Sequence, residues 1–113
     1  MSLYSRNLGN LAVTDHLVLH DVYTVPLGGG PAVVKALTLY ADAGAWVIVA
    51  VRLDGITPGA YLAMLNNTTG SAEAHQVIET FQPLPPGAKV VAINASSSTD
   101  WSVLMGGYQF LTP

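Results

Sequence analysis

The chain has 113 residues, half of them apolar and only a tenth charged, with a formal net charge of −3 and no cysteine. That length suits a single domain, and the lack of thiols excludes both a disulfide framework and thiolate zinc ligation. Nucleic acid is excluded as an expected partner because Arg6, Lys35, Arg52 and Lys89 are scattered rather than clustered, and a membrane because "AWVIVAV" and "AVVKALTLYA" fall far short of the roughly 20 residues that span a bilayer.

An average soluble domain carries about 25% charged residues. So sparse a set has two readings. Either another subunit or a larger assembly covers much of the surface, or short polar residues wet it, as in many all-β domains. The start, "MSLYSRNLGN", lacks the charged n-region and apolar h-region of a signal peptide. A soluble protein without a secretion signal is expected.

Taken in chain order, residues 1–15 mix polar and apolar character and read as an extended N-terminal arm, with the domain proper running from 16 to 113. "HLVLHDVYTV" (His16 to Val25) alternates with period two and predicts a first strand. "PLGGGP" (Pro26 to Pro31) ends it. Ala32 to Tyr40 is rich in β-branched and aromatic residues and predicts a second strand, which "ADAG" joins to "AWVIVAVRLD" as a long hairpin turning near Asp42 to Gly44. "GITPG" then breaks the chain before "AYLAMLN". Beyond the polar loop "NNTTGSAE", the stretch from Ser71 to Phe81 allows a helix lined by Ala72, Ala74, Val77 and Ile78, but is read as a strand. "KVVAINAS" follows "QPLPPGAK", and "SSSTD" turns into the last strand, "WSVLMGGYQFL". About seven or eight strands broken every eight to twelve residues predict an all-β, antiparallel β-sandwich of jelly-roll or related Greek-key type.

The triple glycine ahead of Lys35 invites a phosphate loop. Such a loop needs Lys followed by Ser or Thr at the start of a helix, so that backbone N–H groups and the lysine converge on phosphate oxygens. Here Lys35 lies in a β-type run, Ala36 follows it and Pro31 removes an N–H, so the segment is a turn. On a strand, His16 and His20 would stand roughly 13 Å apart, too far to share a zinc directly. Only a helix would bring them together, with Asp15, Asp21 or Glu73 completing the set. "SSSTD" puts hydroxyls beside Asp100, but turns favour those residues too, because they bond local backbone. Asp42 and Asp54 likewise sit where turn formers belong. Trp46 and Trp101, at the starts of long strands, default to packing, with a sugar platform including Tyr61 as the functional alternative. No catalytic residue, cofactor or metal is expected.

The motifs Tyr23-Thr24-Val25-Pro26, Val33 to Tyr40, Pro85-Pro86-Gly87, Val90 to Ser97 and Trp101 to Gly107 stand in an order that resembles small β-sandwich structural proteins of tailed-bacteriophage virions. The resemblance runs from about Tyr23 to the end. It departs at "LGGGP", where the pattern has one proline-glycine turn, and at Ala88 and Lys89, where it has a different stop. It implies a noncatalytic virion component assembled in the host bacterial cytoplasm, first of all a capsid decoration (cement) protein that binds the major capsid protein or other virion proteins. A homo-oligomer, favouring a trimer, goes with it. The alternatives are a tail or receptor-binding module, or a carbohydrate-binding β-sandwich. On this reading the arm would anchor through Tyr4, Leu8, Leu11 and Val13 by strand addition. The longer loop, Leu27, Gly28, Gly29, Gly30 and Pro31, would supply protein-specific contacts.

Overall fold

Residues 2–28, 30–52 and 60–111 are described by the computed structural model, with side chains for 8–28, 30–52 and 61–110. Among them stand eight strands and no helix: β1 (Ser2–Asp15), β2 (His20–Thr24), β3 (Ala32–Ala41), β4 (Trp46–Arg52), β5 (Ala60–Asn66), β6 (Ala74–Leu84), β7 (Lys89–Asn94) and β8 (Thr99–Leu111). They form two four-stranded sheets ordered β1-β8-β3-β6 and β2-β7-β4-β5, with every ladder antiparallel. Only β4 and β5 follow one another within a sheet. Every other connection crosses between sheets, which gives the two Greek keys of an eight-stranded jelly roll.

Alternation decides which side chains fill the space between the sheets. On β3, Leu37, Leu39 and Ala41 stand beside Met105, Val103 and Trp101 of β8. Across from them, Val47, Val49 and Val51 of β4 stand beside Asn94, Ala92 and Val90 of β7. All twelve are buried, and each large apolar one contributes on the order of 1.5–3 kcal/mol by leaving water. The polar residues buried among the described ones are Asn67, Asn94 and Gln109.

The glycine pair in "LMGGY" has a physical reason. Both neighbours of β8 carry a bulge at its level: β1 shifts register between Asn7 and Gly9, and β3 between Val34 and Ala36. A Cβ on Gly107 would stand 2.0 Å from the Val33 carbonyl oxygen, so the backbones approach there closer than any side chain permits. Lys35, the extra residue of the β3 bulge, leans out over the Phe81 ring, 5.2 Å from its centroid.

Several expectations change. The strand expected from His16 begins only at His20, because Leu17 takes a left-handed conformation (φ 58°) and donates its N–H to the Asn94 carbonyl (2.8 Å). The expected hairpin of β3 and β4 does not form; the two strands lie in different sheets. The turn falls where expected, with Gly44 at φ 96° and the Ala45 N–H donating to the Asp42 carbonyl (3.1 Å). Yet it carries the chain across the core, since both strands bury an apolar face and each face needs the opposite sheet. The segment read as a strand from Ser71 to Phe81 is one, as β6, but with shifted bounds, Ala74–Leu84. Of the segment read as an arm, residues 2–15 form β1, paired with β8 from Ser2↔Leu111 to Asp15↔Thr99.

Candidate interaction surfaces

The two outer faces differ in chemistry. Strand β4 is apolar on both parities. Val47, Val49 and Val51 point inward, while Ile48 and Ala50 point out with Val91 and Ile93 of β7 and, across β5, Tyr61. An antiparallel sheet with one wet face should alternate polar with apolar; this one does not. With Leu19 and Arg52 these side chains line an apolar groove of about 220 Å³. Tyr61 is 69% exposed, Met64 beside it 43% and Leu19 48%. A Lys89–Asp21 ion pair (3.2 Å) lies on the same sheet, on neighbouring strands.

The outer face of the β1-β8-β3-β6 sheet is mixed: hydroxyls and carboxylates (Thr14, Ser102, Thr38 and Tyr40, with Asp100 and Glu79) stand among the exposed apolar side chains Val77, Phe81 and Leu104. The Tyr40 hydroxyl donates to Glu73 (3.1 Å), and its ring tilts against His75 at 4.9 Å. That hydrogen bond, then partial desolvation and the neighbouring carboxylates, hold the phenol above its ordinary pKa of 10.0.

At one end of the sandwich the β1–β2 connection presents three consecutive apolar side chains, Leu17, Val18 and Leu19, at 66%, 47% and 48% exposure. A polar node holds this corner. The buried Asn94 amide donates to the Asp15 and Ser97 carbonyls (both 2.9 Å) and accepts from the N–H groups of Trp46 (3.0 Å) and Ser96 (3.1 Å). Trp101 Nε1 donates to the same Asp15 carbonyl (3.1 Å). His20 Nε2 lies 2.7 Å from Asp15 Oδ2, with its ring edge-on to Trp101, and His16 Nδ1 meets the Ser98 hydroxyl. The histidines are thus tied separately, and among the described residues no three His, Asp or Glu side chains gather as a metal site would require.

The residues singled out from the sequence are spread over the molecule. Tyr4 lies in β1, with its side chain outside the described set. Leu8 is buried at the β1 bulge, and Leu11 and Val13 pack on the core while staying half-exposed at the sheet edge. In the glycine loop, Leu27 is 84% exposed and Gly28 has open space where a Cβ would stand. Gly29 lies outside the described residues. Gly30 is buried and donates to the Phe110 carbonyl (3.1 Å), whose own N–H donates to the Pro31 carbonyl (2.9 Å), while Pro31 is exposed. Trp101 is only 1% exposed, so no platform of Trp46, Trp101 and Tyr61 assembles. Asp54 lies outside the described residues. Of the groove residues, Tyr61 was singled out only for a sugar platform and Ile48 and Ile93 were not anticipated, although the unbroken run "AWVIVAV" carried the signal for Ile48, since such a strand has no polar face.

No protein-family model and no curated protein matches the chain. Among solved structures it is similar to one of the acid-stable capsid of Helicobacter pylori bacteriophage KHP30, at TM-score 0.59 and 17% identity over 98% of this chain and 95% of that one. It is also similar to one of the disulfide-linked pili of Bacillus endospore appendages, at TM-score 0.51 and 13% identity over 98% and 90%. At such identities the likeness is one of fold: this all-β sandwich has the architecture found in chains of a phage capsid and of a pilus.

Proposed function

We propose that the protein is a noncatalytic structural component of a tailed-phage virion, a decoration or cement protein that binds the major capsid protein and stabilises the head shell. It acts as a symmetric homo-oligomer, a trimer, assembled in the host bacterial cytoplasm. The observation that carries the reading is the apolar outer face around Ile48, Tyr61 and Ile93, on a chain with few charges. A solitary soluble domain rarely leaves a large apolar patch uncovered, and a building block needs one. The fold likeness to a phage capsid chain supports the same reading. The disulfide linkage of the pili is unavailable to a chain without cysteine. The exposed residues Leu27, Gly28 and Pro31 and the edge residues Leu11 and Val13 are proposed as further contacts.

The test is co-sedimentation of purified protein with emptied shells of the phage whose major capsid gene neighbours this one. Expected is saturable binding by an oligomer, lowered at least tenfold by Ile48→Lys or Tyr61→Lys, and no signal on a glycan array. A monomer that ignores the shells yet retains a sugar overturns the reading in favour of a carbohydrate-binding domain.

A further inference from the structure

We propose that the open edge of β1 pairs, antiparallel, with β1 of a second copy around a two-fold axis at Ala12, joining two four-stranded sheets into one of eight strands. The inference rests on the homo-oligomeric part of the proposed function and adds a two-fold contact, which a closed trimer does not itself contain and which pairs two trimers into a hexamer.

Strand β1 ends its sheet, and among the described residues no ladder joins it to any strand but β8. An uncovered edge presents a row of N–H and C=O groups that templates another strand, and proteins usually blunt it with shortness, proline, lysine or a charge. Of the other edges, β5 has no proline or charge but is half the length of β1 and shifts register against β4. Strand β2 has five residues and a register shift, and β6 contains Pro83 and Glu79. Strand β1 runs for 14 residues with neither proline nor lysine, and its two charges, Arg6 and Asp15, fall outside the stretch from Gly9 to Thr14. Its bulge lies at Leu8, where Gly9 packs against Val22 of β2, which leaves Gly9 to Asp15 as the regular stretch.

The register follows from the pleat, since residues opposite one another must share a face. An axis at Ala12 sets Leu11 opposite Val13 on the inner face and Asn10 opposite Thr14 on the outer. Asp15 then faces Gly9. Moving the axis to Val13 sets Asp15 against Leu11, and moving it to Leu11 runs Asp15 into the bulge. Only the Ala12 register adds cover to the half-exposed Leu11 and Val13 without opposing a charge to an apolar side chain.

Ala12 is exposed, and the chain has no cysteine, so a disulfide in Ala12→Cys can form only between copies. After mild oxidation most of this variant should run as a dimer on non-reducing gels, because directly opposed Cβ atoms lie within disulfide range. Val77→Cys, exposed on β6, is the control and should remain largely uncrosslinked. A mixture of Asn10→Cys with Thr14→Cys should crosslink several-fold more than either alone. Ala12→Asp brings two carboxylates together on the axis and should shift the protein to a smaller species in sedimentation equilibrium, with an unchanged circular dichroism spectrum. Crosslinking of Ala12→Cys no greater than that of Val77→Cys, or an Ala12→Asp assembly identical to wild type, overturns the proposal. Shell binding is scored separately: its loss counts against the capsid reading and leaves the β1 result standing.

Discussion

Asn94 decides the geometry of one corner with a single side chain. Both amide hydrogens and both oxygen lone pairs are used, tying β7 to Asp15, Trp46, Ser96 and Ser97. A buried amide is tolerated in a core of valines and leucines only when it is satisfied in this way. Asn94→Leu keeps the branched outline in a somewhat larger side chain and strands several backbone groups, of which the Asp15 carbonyl alone retains Trp101 as donor. The expected loss is about 2–4 kcal/mol, read as a lower urea midpoint; a loss under about 1 kcal/mol would show that water replaces the amide. From the sequence, Asn94 in "VVAINAS" reads as one more residue of a strand. Half of its role depends on Asp15 and Trp46, dozens of positions away, which local pattern does not encode.

At the scale of the element, strands were legible where alternation was strong, as in β3, β5, β7 and β8. Partnership between strands was not. The β3–β4 turn has the sequence of a hairpin, yet the chain crosses to the other sheet, because two strands with apolar faces bury more by facing each other than by lying side by side. The arm became a strand for a related reason: Leu11 and Val13 recur on one face of a period-two pattern and can cover Trp101 and Val103. The glycine pair in β8, where both neighbouring strands bulge, contrasts with the glycine loop. Gly107→Ala drives a Cβ into the Val33 carbonyl and should cost roughly 3 kcal/mol or more, as overpacking of a tight site does, whereas Gly28→Ala meets nothing within 4 Å and should stay within about 0.5 kcal/mol of wild type. Thermal melts of the two variants check the claim, and equal midpoints would contradict it.

Across the whole molecule the distribution of charge is the governing feature. The outer face of the β2-β7-β4-β5 sheet holds an apolar groove whose one charged lining residue is Arg52, so association through it draws on burial rather than on ion pairs. Self-association and shell binding should therefore change little between 50 mM and 500 mM sodium chloride, where exposed charge pairs are screened, and should strengthen in sulfate. Sedimentation across the salt series is the measurement. A loss of tenfold or more in sodium chloride would assign the contact to charge instead. The composition had left two accounts of the missing charges open, and the groove with its exposed Tyr61 and Met64 favours the one in which an assembly covers the surface.

Sequence alone determined that the chain is all-β, roughly where the strands lie, that it has no thiol chemistry and that Lys35 belongs to a strand rather than a phosphate loop. These follow from residue type and short-range periodicity. Tertiary structure decided which strands are neighbours, that residues 2–15 complete a sheet, that Asn94 locks a corner and that Ile48, Tyr61 and Ile93 share one outer groove. The physical reason is range. A period-two pattern says that a strand has two faces, and only the packing of the sheets says which face meets the core and which is left for a partner.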